Sequence, residues 1–294
     1  MYDRVLRELD DAPLLAALRA CYAPGALPDE AALAAELRGR IVDVPVPGGA
    51  LRVDLGDWTA RLIVRLGGWE PHLARLARRI VRPGDLAVDA GAHVGAWTLL
   101  LRSLVGDAGR VVAYEPLPRS AERARQATAG RAEIVEAALG AAPGRRPLYA
   151  YRGPRYAGAD SMLCSLVAGD GYSPVAEVQV TTLDAADLPR VDVLKIDTEG
   201  AELEVLRGAR ATLGRSPEPR LLVELHPVEL AAAGQAVTDV TAELAAAGLA
   251  VFDLVPDGAT LAARLLPPGQ APTAAHVLAR RDPTPFAVSL LGVG

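Results

Sequence analysis

The chain has 294 residues, 51% apolar and 23% charged, which excludes a disordered chain and allows one large domain or one domain with an extension. Net charge is −5 with no basic run of five residues, and aromatics make up only 4%, so neither a nucleic-acid partner nor a base-stacking platform is expected. Lys and Arg total 31, yet Lys195 is the only Lys and Asn is absent; this bias makes Arg uninformative and asks a reason of the one Lys.

No apolar run with a cleavage site follows Met1, and no stretch approaches the ~18 apolar residues of a membrane span. A cytoplasmic protein without membrane contact is expected. Cys21 and Cys164 show no metal spacing and read as two reduced thiols.

In chain order, residues 3–40 read as two helices, the second opening at Pro28-Asp29-Glu30 and stopping near Gly39. Residues 41–66 switch to a period of two: Val42, Val44 and Val46, a turn at Gly48-Gly49, then Leu51, Val53 and Leu55. A helix follows from Glu70, with Pro71 in its first turn, Leu73, Leu76 and Ile80 on one face, and Pro83-Gly84 as its end.

From residue 86 strands and helices alternate. Strands are expected at 86–90, 110–115, 132–136, 191–197, 220–225, 249–254 and 275–280, and helices at 95–105, 118–129, 201–213 and 236–247. Several of these strands are continuous apolar runs, as buried parallel strands are. The expectation is an α/β sheet with helices on both faces and a pocket beyond the C-terminal strand ends, where strand order reverses. Residues 138–190 interrupt the alternation. They hold Tyr149, Tyr151, Tyr156 and Tyr172, four of the seven tyrosines, and a strand at 177–183. An insertion that offers apolar area with polar tips is the candidate acceptor pocket.

Two motifs carry chemistry. The first strand leads from Asp89 into Gly91, His93 and Gly95, a loop whose glycines let the chain turn sharply and a ligand approach. It is not G-x-G-x-x-G, so a dinucleotide is disfavoured. The second strand ends at Glu115, where a carboxylate can accept from both hydroxyls of a ribose. Acid, glycine turn and acid at successive strand ends suit a nucleoside without a pyrophosphate, such as S-adenosylmethionine.

The fourth strand runs into Lys195-Ile196-Asp197-Thr198-Glu199-Gly200-Ala201-Glu202. Lys195 and Asp197 share a face, two residues apart. They can serve the site or pair with each other as a structural ion pair. Glu199 and Glu202 fall at or within the first helical turn, where acids complement the helix dipole. The fifth strand presents Glu224 and His226 on one face, and an imidazole is a natural proton acceptor near neutrality. Asp197, Glu224 and His226 could also take a divalent ion, but the spacing is too loose and no metal is assigned.

Val88-Asp89-Ala90-Gly91-Ala92-His93-Val94-Gly95, Tyr114-Glu115-Pro116, and the run from Leu194 to Glu202 with Leu206-Arg207-Gly208-Ala209 resemble the FkbM-type methyltransferases. Gly68-Trp69-Glu70-Pro71 and the run from His276 to Arg281 fit the flanks, so the resemblance covers roughly residues 65–281. It implies a Rossmann-like class I S-adenosylmethionine-dependent methyltransferase. Such a fold has a seven-stranded, mostly parallel sheet, with the last strand antiparallel between the fifth and sixth. Where His93 stands, the family usually has Asn.

The resemblance further implies methylation of hydroxyls on sugars or secondary metabolites. N-methylation of an amine or imidazole, and a non-catalytic cofactor-binding protein on the same fold, remain as rival readings. Asp89, Gly91, His93, Gly95, Glu115 and Asp197 are the expected cofactor residues. Asp197, Lys195, Glu224 and His226 are the expected catalytic ones, with His226 or Asp197 as base. Residues 1–64 form an expected N-terminal extension of helices and hairpin, and residues 65–294 the methyltransferase domain. The expected partner is a small-molecule acceptor, and a homodimer stays open.

Overall fold

The computed structural model describes residues 29–151, 164–257 and 259–290. The first expected helix, Cys21 and Tyr156 lie outside the described residues. Asp29 caps helix α1 (Glu30–Leu37) by accepting from the N–H groups of Ala31 and Ala32. Strands β1 (Ile41–Val46) and β2 (Gly49–Asp54) pair antiparallel as the alternation predicts.

The period of two does not extend to residue 66. Asp57 caps a helix, α2 (Trp58–Leu66), through Thr59 N–H. Ala60, Ile63 and Val64 then recur at helical spacing and join Leu33, Leu37, Val42, Val44 and Leu51 in one core. Val94 and Leu99 belong to the same core, so this N-terminal segment packs onto the glycine loop and the helix after it. Helix α3 (Pro71–Ile80) buries Leu73, Leu76 and Ile80, as expected.

The central sheet takes in chain order β3 (Leu86–Ala90), β4 (Arg110–Tyr114), β5 (Glu133–Val135), β10 (Val193–Ile196), β11 (Arg220–Glu224), β12 (Ala250–Asp257), β13 (Thr260–Leu265), β14 (His276–Arg280) and β15 (Phe286–Ser289). Its spatial order is β15-β13-β12-β14-β11-β10-β3-β4-β5. Strand order reverses between β3 and β10, which pair in parallel. β14 lies antiparallel between β11 and β12.

The sheet therefore has nine strands rather than seven, because β13 and β15 extend its edge. Thr260-Leu-Ala-Ala-Arg-Leu is rich in helix formers, and pairing with β12 overrides that propensity.

Alternate residues of the strands face opposite helical layers. Val88, Leu194, Ile196, Leu221 and Val223 pack with Leu203, Leu206, Val240 and Leu244. Ala87, Val193, Leu222 and Leu278 pack with Leu73, Leu76, Trp97 and Leu101. By parity Asp89 and Lys195 belong to this second face, and the parallel register sets them side by side.

The flanking helices are α4 (Ala96–Val105), α5 (Pro118–Thr128), α6 (Glu202–Arg207), α7 (Arg210–Arg215), α8 (Pro227–Ala232) and α9 (Val237–Ala246). The expected single helix over 201–213 is thus two. It breaks at Gly208, where a Cβ would overlap the Gly140 carbonyl oxygen.

The interruption is a second sheet rather than one strand. β6 (Ala138–Leu139), β7 (Gly144–Tyr151), β8 (Cys164–Ser165) and β9 (Tyr172–Thr181) run in the order β6-β9-β7-β8. Leu148, Leu166, Val178 and Val180 form its core together with Leu117. No helix among the described residues is long and apolar enough to cross a membrane.

Candidate active site

A cavity of about 810 Å³ opens beyond the C-terminal ends of β3, β4, β10 and β11. The N–H groups of Gly91 and Ala92 both donate to the Tyr114 carbonyl, each at 3.0 Å, and tie the glycine loop to the end of β4. Gly91 has φ +88°, and a Cβ on it would overlap the Asp197 carbonyl oxygen. The glycine is therefore required by the approach of two strand ends as well as by the turn.

His93 takes φ +50°, a region that Asn and His enter more readily than most residues, which gives a backbone reason for the family's preference there. Burial pushes its imidazole down to about 4, so the ring is neutral. Gly95 does not line the cavity; its place is against Ala124 of α5.

Glu115 lines the cavity and is 6% exposed. Its carboxylate accepts from His93 N–H at 2.9 Å and Leu117 N–H at 2.8 Å. Burial nonetheless pushes the carboxyl up to about 7, against those two donors. Asp89 does not line the cavity. It is fully buried, accepts from the Thr98 hydroxyl at 2.6 Å, and is pushed by burial up to about 6. In place of the expected cofactor contact it sits beneath α4.

Lys195 is 1% exposed and also lies off the cavity wall. Its Nζ is 2.8 Å from Asp197 Oδ2, 3.9 Å from Glu70 Oε2 and 5.3 Å from the centre of the Trp97 ring. Burial would lower this ammonium, but Asp197 and Glu70 outweigh it and raise it. The Lys195–Asp197 pair is thus a buried ion pair whose acid reaches the cavity and whose base does not.

Glu70 comes from the segment before α3. It receives the Trp97 indole N–H at 2.8 Å and stands 2.7 Å from His276 Nε2. His276 lies opposite Glu224 in the β11–β14 register, with Nε2 3.4 Å from Glu224 Oε2. Burial would lower the His276 imidazole, yet the two glutamates carry it up to about 9.

Around His226 the structure departs from the expected base. Nε2 faces Asp197 Oδ1 at 3.4 Å and Glu224 Oε1 at 4.0 Å, while Nδ1 faces Glu199 Oε2 at 3.3 Å. Burial opposes its charge, but Glu199 and Asp197 hold the imidazole well above its ordinary range. A ring whose two nitrogens both face carboxylates favours keeping a proton over taking the acceptor's. Asp197 is no better a base. Burial would raise it, but Lys195 and His226 hold it well below the carboxylate range.

Glu199, named in the acidic cluster but not among the expected site residues, lines the cavity beside His226. Its φ of +52° puts it in a left-handed turn that sequence spacing does not reveal. The turn is held from both sides. The Ser165 hydroxyl of the second sheet donates to the Glu199 carbonyl, and fully buried Glu202 accepts the Gly200 N–H at 2.9 Å. Burial pushes the Glu199 carboxyl up to about 8.

Of the insertion's tyrosines, Tyr151 and Tyr172 line the cavity, with ring centres 5.4 Å apart. Tyr149 does not line it. Helix α2 adds Trp58, Thr59 and Ile63 to the wall, so the N-terminal segment helps to build the site.

An open α/β sheet with a cavity at its switch point, a glycine loop and a ribose-type acid defines a Rossmann-like nucleoside-cofactor enzyme. The model of the methyltransferase FkbM domain matches residues 89–249, and the chain belongs to this family of S-adenosylmethionine-dependent methyltransferases. Among solved structures it is similar to methyltransferase FkbM from Methylobacillus flagellatus KT, with 17% identity over 77% of this chain and 61% of that one, TM-score 0.39. A putative rRNA-methylase from Clostridium thermocellum aligns with 12% identity over 74% and 94% of the two chains, TM-score 0.41. A TehB-like methyltransferase from Corynebacterium glutamicum aligns with 13% identity over 79% and 94%, TM-score 0.41. No curated protein matches the chain.

The residues present fit such a cofactor. Gly91, His93 and Glu115 share one wall, and the Glu115 carboxylate keeps lone pairs for ribose hydroxyls beyond its two N–H donors. Only the ionised carboxylate accepts from both hydroxyls, and Glu115 gains a proton below about 7. Affinity for S-adenosylhomocysteine should therefore weaken as pH falls through that value. Calorimetry should show Glu115→Ala binding roughly 10- to 100-fold more weakly, with the pH dependence flattened. Wild-type affinity in that variant would remove Glu115 from the cofactor site.

Proposed function

We propose that the protein methylates a hydroxyl of a small molecule, a sugar or a secondary metabolite, and that Glu224 takes the proton. When bound, S-adenosylmethionine supplies an electrophilic methyl group and leaves as the neutral thioether. Glu115, Gly91 and His93 hold its nucleoside part. Tyr151 and Tyr172 offer the acceptor a polar-tipped apolar wall.

The observation that carries the reading is Glu224. It lines the cavity, and burial together with the Asp197 charge raises its proton affinity. Proton acceptors work best when their pKa approaches the working pH, which favours this carboxylate over Asp197, held low by Lys195, and over His226, held high by its carboxylates. An alcohol must lose its proton near the transition state, whereas a neutral amine attacks without help, so a positioned base supports O-methylation. His276 stands behind Glu224 and steadies it. We also keep the division into an extension at 1–64 and a methyltransferase domain at 65–294, with the insertion at 138–190 on the acceptor side.

The test is product analysis after incubation with S-adenosylmethionine and a panel of hydroxylated and aminated acceptors, with the methylated atom assigned by NMR. Glu224→Gln should slow turnover by roughly 100-fold or more and leave S-adenosylhomocysteine affinity within a few-fold of wild type. A product methylated on nitrogen, or an unaltered rate in the variant, contradicts the proposal.

A further inference from the structure

We propose that Asp197, Glu199 and His226 bind one divalent metal ion at the acceptor side of the cavity. The role of the ion rests on the methyltransferase reading above; its binding does not.

The three side chains each offer a ligand atom, and these atoms lie within 4.8 Å of one another. Ligands about 2.1 Å from a hard divalent ion sit about 3 Å apart when adjacent and about 4.2 Å apart when opposite, so small side-chain shifts close the set. In sequence the candidate trio is Asp197, Glu224 and His226, spaced too loosely to assign a metal. The fold puts Glu199 in the place of Glu224, which turns to His276.

An orphaned atom supplies a second, independent observation. His226 Nε2 is shielded from solvent, and its approach to Asp197 Oδ1, at 3.4 Å, falls short of good hydrogen-bond geometry. A buried imidazole nitrogen without a partner is costly unless something fills the place. The other ring nitrogen faces the Glu199 carboxylate. Asp197 is divided in the same way: Oδ2 is taken by Lys195 at 2.8 Å, and Oδ1 is left toward His226.

Charge points the same way. Among the described residues, Glu115, Asp170, Asp197, Glu199, Glu224 and Glu229 line the cavity, while no Lys or Arg does. The loop is also built to hold its acid in place. Glu199 and Gly200 both take left-handed conformations, at φ +52° and +98°, and Ser165 and Glu202 fix the turn between them. Such strain persists only where the surroundings over-determine it. One imidazole with two carboxylates, open on the cavity side, suits Mn²⁺, which would take the ring nitrogen in place of its proton. An ion there would polarise an acceptor hydroxyl and leave Glu224 free for its proton.

The test titrates chelator-treated full-length protein with Mn²⁺ and follows the free ion by electron paramagnetic resonance. S-adenosylhomocysteine binding is measured in parallel by calorimetry. One Mn²⁺ per chain is expected, with Kd on the order of 10–100 µM. Glu199→Gln and His226→Gln should each weaken Mn²⁺ at least about tenfold and still bind S-adenosylhomocysteine, while the exposed Glu218→Gln should change neither.

No Mn²⁺ bound at about 1 mM by protein that binds S-adenosylhomocysteine overturns the proposal, as does wild-type Mn²⁺ affinity in both variants. Mn²⁺ binding of the expected pattern without S-adenosylhomocysteine binding leaves the ion site standing and overturns the cofactor reading instead.

Discussion

Replacing Lys195 by methionine should destabilise the protein by about 3–5 kcal/mol, the cost of leaving buried charges without their partner. The side chain is 1% exposed and is the cation for Asp197 at 2.8 Å and Glu70 at 3.9 Å, with fully buried Asp89 beside it on the neighbouring strand. Methionine keeps the apolar stem and removes only the charge, so the loss reads the ion pair rather than a cavity. The carboxylates would relieve part of the repulsion by taking up protons, so the variant's deficit against wild type narrows as pH falls.

Lys195→Arg tests shape rather than charge. The planar guanidinium is wider than an ammonium, and the Trp97 ring stands 5.3 Å from Nζ. A cost of about 1–3 kcal/mol is expected from overpacking. Urea unfolding measures both. An arginine variant as stable as wild type would mean that the only Lys of an Arg-biased chain was retained by chance.

Gly91→Ala should be the most damaging change in the glycine loop, at least ~3 kcal/mol in stability together with loss of cofactor binding. Two costs add. At φ +88° any Cβ is strained, and here it would also overlap the carbonyl oxygen of Asp197. The loop and the end of β10 must separate, which displaces Asp197 and changes the wall that carries Glu115. Thermal melting and S-adenosylhomocysteine calorimetry on the same sample give both readouts. An alanine variant with wild-type melting and affinity would contradict the close approach.

The parallel strands and their helices were legible because each strand is a short apolar run between turn residues, and each main helix has a periodic apolar face. Lys195 and Asp197 were legible as a pair because a strand sets residues two apart on one face. β13 was not, since Ala, Leu and Arg carry no strand signal and only the hairpin with β12 makes them one. Asp89 was misplaced for a related reason: its position in the strand is readable, but which helix covers that face is not.

Glu70 and His276 were noticed only as flanks of a motif. Their meeting with Glu224 depends on β14 inserting beside β11, a long-range pairing that no local pattern encodes. Glu199 could not be told from a helix-terminal acid, because its left-handed backbone is held by Ser165 of a distant sheet. The base assignment changed on the same ground. His226 looked titratable near neutrality in isolation, but carboxylates from the end of β11 and the turn after β10 raise its proton affinity.

The central claim is that the cavity holds an S-adenosylmethionine-type nucleoside against the glycine loop and Glu115. Calorimetry of wild type and Glu115→Ala with S-adenosylhomocysteine tests it most directly. The account predicts one site per chain in the wild type and a clearly weaker one in the variant, with the wild-type affinity tightening as pH rises through about 7. No binding by the folded wild type, or equal binding by both proteins, would contradict it.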